Sequence, residues 1–195
     1  EVNSSGKYSY DYRTDDGAAI SEYFGPTEFP SAVINRNPYN GSLILGETYW
    51  LTAVTDILEQ KPVVDFEMNT TYTSGSRNLE VKIDLIFLEA MNAELMLSVY
   101  FVEDSIISWQ KDYSLEVGEQ DVEFYVHNHV LRDAINGTWG DVILTGQAEA
   151  NMVKSKSYQY SINPEWKVKN SSIVAFVYKN DTKEVLQASQ ENIIQ

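Results

Sequence analysis

Cysteine is absent from the 195 residues. That one absence removes thiol nucleophiles, disulfide staples, thiolate metal sites and lipidation of an N-terminal cysteine together. Histidine is scarce, with two residues, and basic residues are outnumbered: 14 Lys and Arg against 29 Asp and Glu leave a formal charge of −15. A surface so acidic repels phosphate backbones and anionic headgroups alike, so nucleic acid is excluded as a partner. No apolar run approaches the roughly 18 residues of a membrane span, and the polar start at Glu1 has no signal-peptide core. The chain therefore reads as soluble and already processed. There is no internal repeat, no low-complexity linker and no glycine-rich phosphate loop; Gly137 and Gly140 bracket Trp139 in what reads as a turn. What remains is long enough to bury a real core as one sizeable domain or two small ones.

The chain changes period at Lys61-Pro62. Before it, Asp15 or Asp16 is placed to cap a short helix through Ala18, Ala19, Ile20, Tyr23 and Phe24, which Gly25 and Pro26 end. Residues 31–36 and 42–45 read as two short strands that could form a hairpin around the loop Asn37-Pro38-Tyr39-Asn40-Gly41. From Glu47 to Gln60 the positions Trp50, Ala53, Val54, Ile57 and Leu58 recur at three and four, one face of a helix that needs a sheet to cover.

After it the period is two. Leu79, Val81, Ile83, Leu85 and Phe87 alternate with polar residues, and Ala93, Leu95, Leu97, Val99 and Phe101 follow after a turn, predicting a half-buried antiparallel hairpin. Further strands are expected at Val64 to Met68, Ile106 to Trp109, Val122 to Val126, Tyr158 to Ile162, and Ile173 to Tyr178 paired with Glu184 to Ala188. Seven or eight short strands over residues 62–195 fit an Ig-like antiparallel β-sandwich, because one sheet of that size would leave an apolar face bare.

Chemistry-bearing groups are few. His127 and His129 would share a face with Tyr125 if the strand through Val126 continued, and two imidazoles at that spacing suit a metal. Zinc and iron sites need a third protein ligand, however, so local hydrogen bonding at a strand end is expected instead. No serine elbow or serine beside a base appears, which argues against nucleophilic catalysis. Glu103-Asp104, and Glu116 with Glu119 and Asp121, lack a calcium-loop pattern and read as solvated loop charges. Asn3, Asn40, Asn69, Asn136, Asn170 and Asn180 each open an Asn-X-Ser/Thr triplet. These matter only where the glycan transferase is present. The 13 Tyr and 4 Trp suit sandwich packing or a recognition surface, with packing the default.

At three places the sequence resembles the Bacteroidetes outer-membrane proteins of the twenty-eight-kilodalton, Porphyromonas-type group. These are Asp11-Tyr12-Arg13-Thr14 with Gly17 and residues 29–36 (Phe-Pro-Ser-Ala-Val-Ile-Asn-Arg); residues 127–132 (His-Asn-His-Val-Leu-Arg) with Gly137-Thr138-Trp139-Gly140; and Ile173-Val174-Ala175-Phe176-Val177 with residues 184–188. The resemblance implies a surface or secreted adhesin or receptor with no catalytic residue to carry over. The first match also resembles the back half of a thioredoxin-like domain, with Pro30 as its cis-proline and the cysteine pair of the redox family upstream of this chain.

Together these readings give a mainly β protein: a partial α/β thioredoxin-like module over 1–61, then a β-sandwich over 62–195. The expected role is a non-enzymatic binding protein of the outer membrane surface or secreted space. Its ligand is a protein or glycan on a host or matrix surface, and membrane association would come only through a part absent from this chain. No catalytic, cofactor-binding or metal residue is expected, and no cofactor. The rival readings are a secreted glycoprotein of other origin, and a thiol-redox or carrier protein that lacks its cysteine-bearing half. Two structural expectations follow: Phe29-Pro30 is cis, and Met96 or Tyr100 touches residues 1–60, through the helix Trp50 to Leu58.

Overall fold

Thr14, not Asp15 or Asp16, caps α1 (Asp15–Phe24): its hydroxyl accepts the Gly17 N–H at 3.0 Å, and Gly25 closes the helix in the left-handed region at φ 65°. The two aspartates occupy the first turn instead, where negative charge suits the helix dipole. The computed structural model that shows this describes residues 6–194, so the Asn3 triplet lies outside the described residues. Phe29-Pro30 is cis, as expected. The expected hairpin over residues 31–45 contracts to two isolated bridges, Ala32 with Leu45 and Tyr39 with Ser42. Left-handed backbone at Asn35, Arg36 and Asn40 interrupts the ladder between them. A 3₁₀ turn at Glu47–Tyr49 leads into α2 (Trp50–Leu58).

Ten strands follow: β1 (Val64–Thr73), β2 (Asn78–Phe87), β3 (Met91–Glu103), β4 (Ile106–Lys111), β5 (Asp121–His127), β6 (Val130–Ala134), β7 (Asp141–Ala148), β8 (Val153–Ser161), β9 (Ser171–Lys179) and β10 (Val185–Asn192). All pairings between them are antiparallel. One sheet runs β1-β2-β8; a second runs β10-β9-β3, with β6 and β7 sharing the far edge of β3; β4 and β5 form a separate ribbon.

The expected hairpin of β2 with β3 is not formed. β2 pairs with β1 and β8, β3 pairs with β9, β6 and β7, and the chain crosses between sheets at residues 88–90. The alternation itself is as read. Leu79 to Phe87 and Leu95 to Phe101 supply opposite walls of one core, completed by Ile173, Ala175 and Val177 of β9. Two strands that each carry a full apolar row bury more surface facing each other across a core than lying side by side.

The first sheet alternates buried and solvent-facing residues along β1 and β2. The second does not. β3 is buried continuously from Leu97 to Glu103 and β9 nearly throughout, so both of its faces are covered. The outer cover is α1 and the segment after it: Ile20 and Met96 pack against the cluster of Tyr100, Ala134, Phe176 and Tyr178. The expected contact between residues 1–60 and Tyr100 therefore exists, but α2 does not make it. Of that helix only Ala53 is buried, while Val54 and Leu58 are exposed.

Candidate binding surface

The surface begins with a turn. Asn35 and Arg36 are consecutively left-handed, at φ 54° and 53°, a conformation that costs a non-glycine residue about 1–2 kcal/mol. It is held by Asn35, whose carbonyl accepts the Val185 N–H at 3.0 Å. The turn delivers the Arg36 guanidinium over four rings: Phe176 at 4.7 Å, Tyr178 at 4.9 Å, Phe24 at 5.5 Å and Trp139 at 5.8 Å. Among the described residues no carboxylate pairs with it. The ring faces supply the negative potential instead. Lys183 approaches Trp139 and Tyr178 from the β9–β10 turn, at 5.8 and 5.6 Å, while its ammonium donates to Asn180. Burial pushes the Tyr100 and Tyr178 phenols up, and the Arg36 charge pulls the other way.

Trp139 is placed by a turn built against β3. Between its pairings with β6 and β7, β3 would have unmatched peptide groups at Leu97 and Val99. The Asn136 side-chain amide fills both positions: its oxygen accepts the Val99 N–H at 2.9 Å and its nitrogen donates to the Leu97 carbonyl at 2.8 Å. The same nitrogen lies 3.1 Å from the Tyr158 hydroxyl and 3.2 Å from Asp141. The carbonyls of Thr138 and Trp139 accept from the hydroxyls of Tyr100 and Tyr178, each at 2.6 Å, and the Thr138 hydroxyl donates to Asp16 of α1 at 2.6 Å. Helix, turn and sheet are thus tied through one loop. Tyr23 and Phe24 of α1 complete the aromatic layer over Trp139, with ring centroids at 5.0 and 6.5 Å.

Two grooves flank α1. One of about 580 Å³ lies between the helix and Tyr12, Arg13 and Leu131; another of about 300 Å³ lies between it and residues 26–36. Both include Gly17, Ser21 and Phe29. Phe29 is 79 % exposed, a large ring standing at the rim with little to cover it. Small residues on the helix leave the space, and the aromatic side chains edge it.

Below the larger groove Arg132 donates to Glu103 at 2.8 Å, both nearly buried, and lies over Tyr12 and Trp166. Glu103 also accepts the Lys167 N–H at 3.1 Å. The expectation of a solvated loop charge at Glu103 is therefore corrected: a buried carboxylate needs a partner, and Arg132 supplies it. Desolvation works to lower the Arg132 pKa, and hydrogen bonds with Glu103 and Tyr10 outweigh it, so the net direction is up. Asp121 is likewise tied, to Tyr8, Lys111 and Lys7, which hold its carboxyl well below the usual range.

The two histidines do not act together. β5 ends at His127, whose ring lies 5.4 Å from Tyr12 and 4.9 Å from Tyr125, and His129 is left-handed at φ 54°, which breaks the alternation that would align them. The expected hydrogen bonding at the strand end is made by Asn128 and the His129 backbone and not by the His127 imidazole: Asn128 accepts the Ser105 N–H at 3.0 Å, the His129 N–H donates to Asp104 at 2.5 Å, and the buried His127 Nε2 has no partner among the described residues. Sequence reasoning missed Arg36 and Phe29 as surface-forming residues. Its signal was present only as aromatics scattered over residues 12–178.

Three stretches far apart in the chain, around residues 11–36, 127–140 and 173–188, thus converge on one face. The family model described as outer membrane protein Omp28 matches residues 17–195. This chain belongs to the Omp28 family. Membership carries the expected location, the outer membrane surface. The crystal structure of a domain of the outer membrane lipoprotein Omp28 from Porphyromonas gingivalis is similar, at 26 % identity over 69 % of this chain and 90 % of that one, with a TM-score of 0.48. No curated protein matches.

Proposed function

We propose that this Omp28-family chain is a non-enzymatic binding protein, an adhesin or receptor that takes a protein or glycan from a host or matrix surface. The observation that carries the reading is the pair of adjoining grooves along α1 with the exposed ring of Phe29 at their common rim. Concave space edged by aromatic side chains is what recognition of apolar side chains or sugar faces requires. The acidic charge of −15 supports a role without nucleic acid. With it we read the two facing sheets of residues 62–195 as an Ig-like sandwich. Residues 1–61 are read as a partial thioredoxin-like segment in which α1, a turn and α2 keep their order and the hairpin is reduced to bridges.

Binding to immobilised matrix proteins and a glycan panel tests the reading with Phe29→Ala. The variant is expected to bind its ligand at least about 5-fold more weakly, as for an exposed aromatic anchor, while its melting temperature is unchanged. Undiminished binding by Phe29→Ala overturns the groove as the site.

A further inference from the structure

The β4–β5 ribbon stands apart from both sheets. Among the described residues no third strand pairs with it, so each strand has an outer edge of unmatched peptide groups. Proteins usually blunt such edges with proline, lysine, bulges or a covering segment. Here residues 106–127 contain no proline; the devices present are one irregularity between Ser108 and Gln110, Lys111 spent on Asp121, and a covering segment on one side, where Lys7 and Tyr8 bond Asp121, Lys7 lies over Trp109 and Tyr12 stacks on His127.

One face of the ribbon base is covered and the other is not. Tyr125 and His127 share the side against which Tyr12 stacks. Ile107 lies opposite Val126, and Phe124 is two residues along on the same side; these are 63 %, 47 % and 74 % exposed. Three neighbouring apolar side chains on an unpaired ribbon form a contact surface with no occupant from the described chain.

Charge says what fits. Residues 106–127 hold five acidic side chains, Asp112, Glu116, Glu119, Asp121 and Glu123, and one basic, Lys111, a net −4 on 22 residues that Lys7, paired with Asp121, reduces to −3, where the whole chain has −15 on 195. The ribbon is still more acidic than the average. A second copy would bring like charge against like charge, and anionic headgroups are repelled in the same way. A segment carrying lysine or arginine on one side and apolar residues on the other meets the charge, the apolar face and the free edge at once.

We propose that the β4–β5 ribbon is a docking arm that binds a basic, apolar-bearing, extended segment of a partner protein by adding it as a third strand. This surface is separate from the α1 grooves, and Phe124 lines neither of them.

The test uses the whole chain and a ten-residue peptide alternating lysine and valine. The glutamate–valine counterpart and a version N-methylated at alternate residues serve as controls. Binding is followed by fluorescence anisotropy and amide hydrogen exchange. The lysine peptide is expected to bind, to weaken at least about 5-fold between 50 and 500 mM salt, and to slow exchange within residues 106–127. The glutamate and N-methylated peptides, and the lysine peptide on Phe124→Ser, are expected to bind at least about 10-fold more weakly, with the melting temperature of the variant unchanged. Phe29→Ala is expected to leave peptide binding intact, which separates failure here from failure of the groove reading. Equal binding of the N-methylated peptide, slowed exchange outside the ribbon, or undiminished binding by Phe124→Ser overturns the proposal. So does self-association in sedimentation, or uptake by anionic vesicles, that Phe124→Ser abolishes, since either makes the occupant something other than a basic strand.

Discussion

Asn136 shows how much a single side chain decides. Its amide stands in for a peptide group where β3 changes partner from β6 to β7, and that substitution lets the chain leave the sheet for residues 137–140 and return. The triplet Asn136-Gly137-Thr138 reads as a glycan acceptor in sequence, yet its nitrogen is engaged by Leu97, Tyr158 and Asp141. The two glycines of the turn differ in the same contextual way. Both are left-handed, at φ 83° and 69°, but a Cβ on Gly137 would meet open space, whereas one on Gly140 would lie 2.0 Å from the Leu97 carbonyl oxygen. Gly137→Ala is therefore expected to cost about 1 kcal/mol for the backbone alone. Gly140→Ala must separate the turn from β3 and is expected to cost at least about 3 kcal/mol. Urea unfolding of the two variants checks the contrast, and equal losses would show that the close approach to β3 is not what the glycine serves.

At the scale of elements, β3 is the strand on which the rest is organised. Its inner row was legible, because Leu95, Leu97, Val99 and Phe101 alternate with residues of another kind. That Met96 and Tyr100 need a cover was legible for the same reason. Which element covers them was not: α2 has the stronger apolar periodicity in sequence, yet α1 is the helix that reaches the sheet, tied there by Asp16 to Thr138 and by the rings of Tyr23 and Phe24 to Trp139. Tyr100→Ala removes a ring that packs edge-on against Phe176 at 5.1 Å together with the bond to the Thr138 carbonyl, and is expected to cost about 3 kcal/mol. Tyr100→Phe keeps the packing and should lose only about 1 kcal/mol for the hydrogen bond. Thermal unfolding distinguishes the two, and similar losses would move the weight from the ring to the hydroxyl.

Across the whole molecule, buried phenols join the sheets to their surroundings. Burial, reinforced by hydrogen bonds to Asp141 and Asp133, raises the pKa of Tyr158 and Tyr160, and burial also raises those of Tyr100 and Tyr178. The half-buried Tyr8 is pushed up to about 12 by its hydrogen bond to Asp121. The sign is fixed by linkage. Well below the ordinary phenol value of about 10 these phenols are protonated in the folded and the unfolded chain, and their contribution is intact; above it the unfolded chain releases protons that the folded chain retains, so stability falls as pH rises. Absorbance of tyrosinate against far-ultraviolet circular dichroism is expected to show Tyr100, Tyr158, Tyr160 and Tyr178 ionising only as the β signal is lost. Smooth ionisation of all of them before unfolding would contradict the burial assigned to these four. Composition and alternation alone determined that this is an acidic, cysteine-free, mainly β chain with most strands where the period changes, because side-chain period and charge are local properties of the sequence. β6 and β7 escaped that reading: they are short, and one edge of β3 is shared between them through Asn136. Only the tertiary structure decided that β2 and β3 face each other across the core, that α1 caps the second sheet, that Arg36 sits among rings and that the β4–β5 ribbon pairs with neither sheet. Each of those depends on which apolar face finds which partner, a choice made between residues far apart in the chain and settled by total burial rather than by any local pattern.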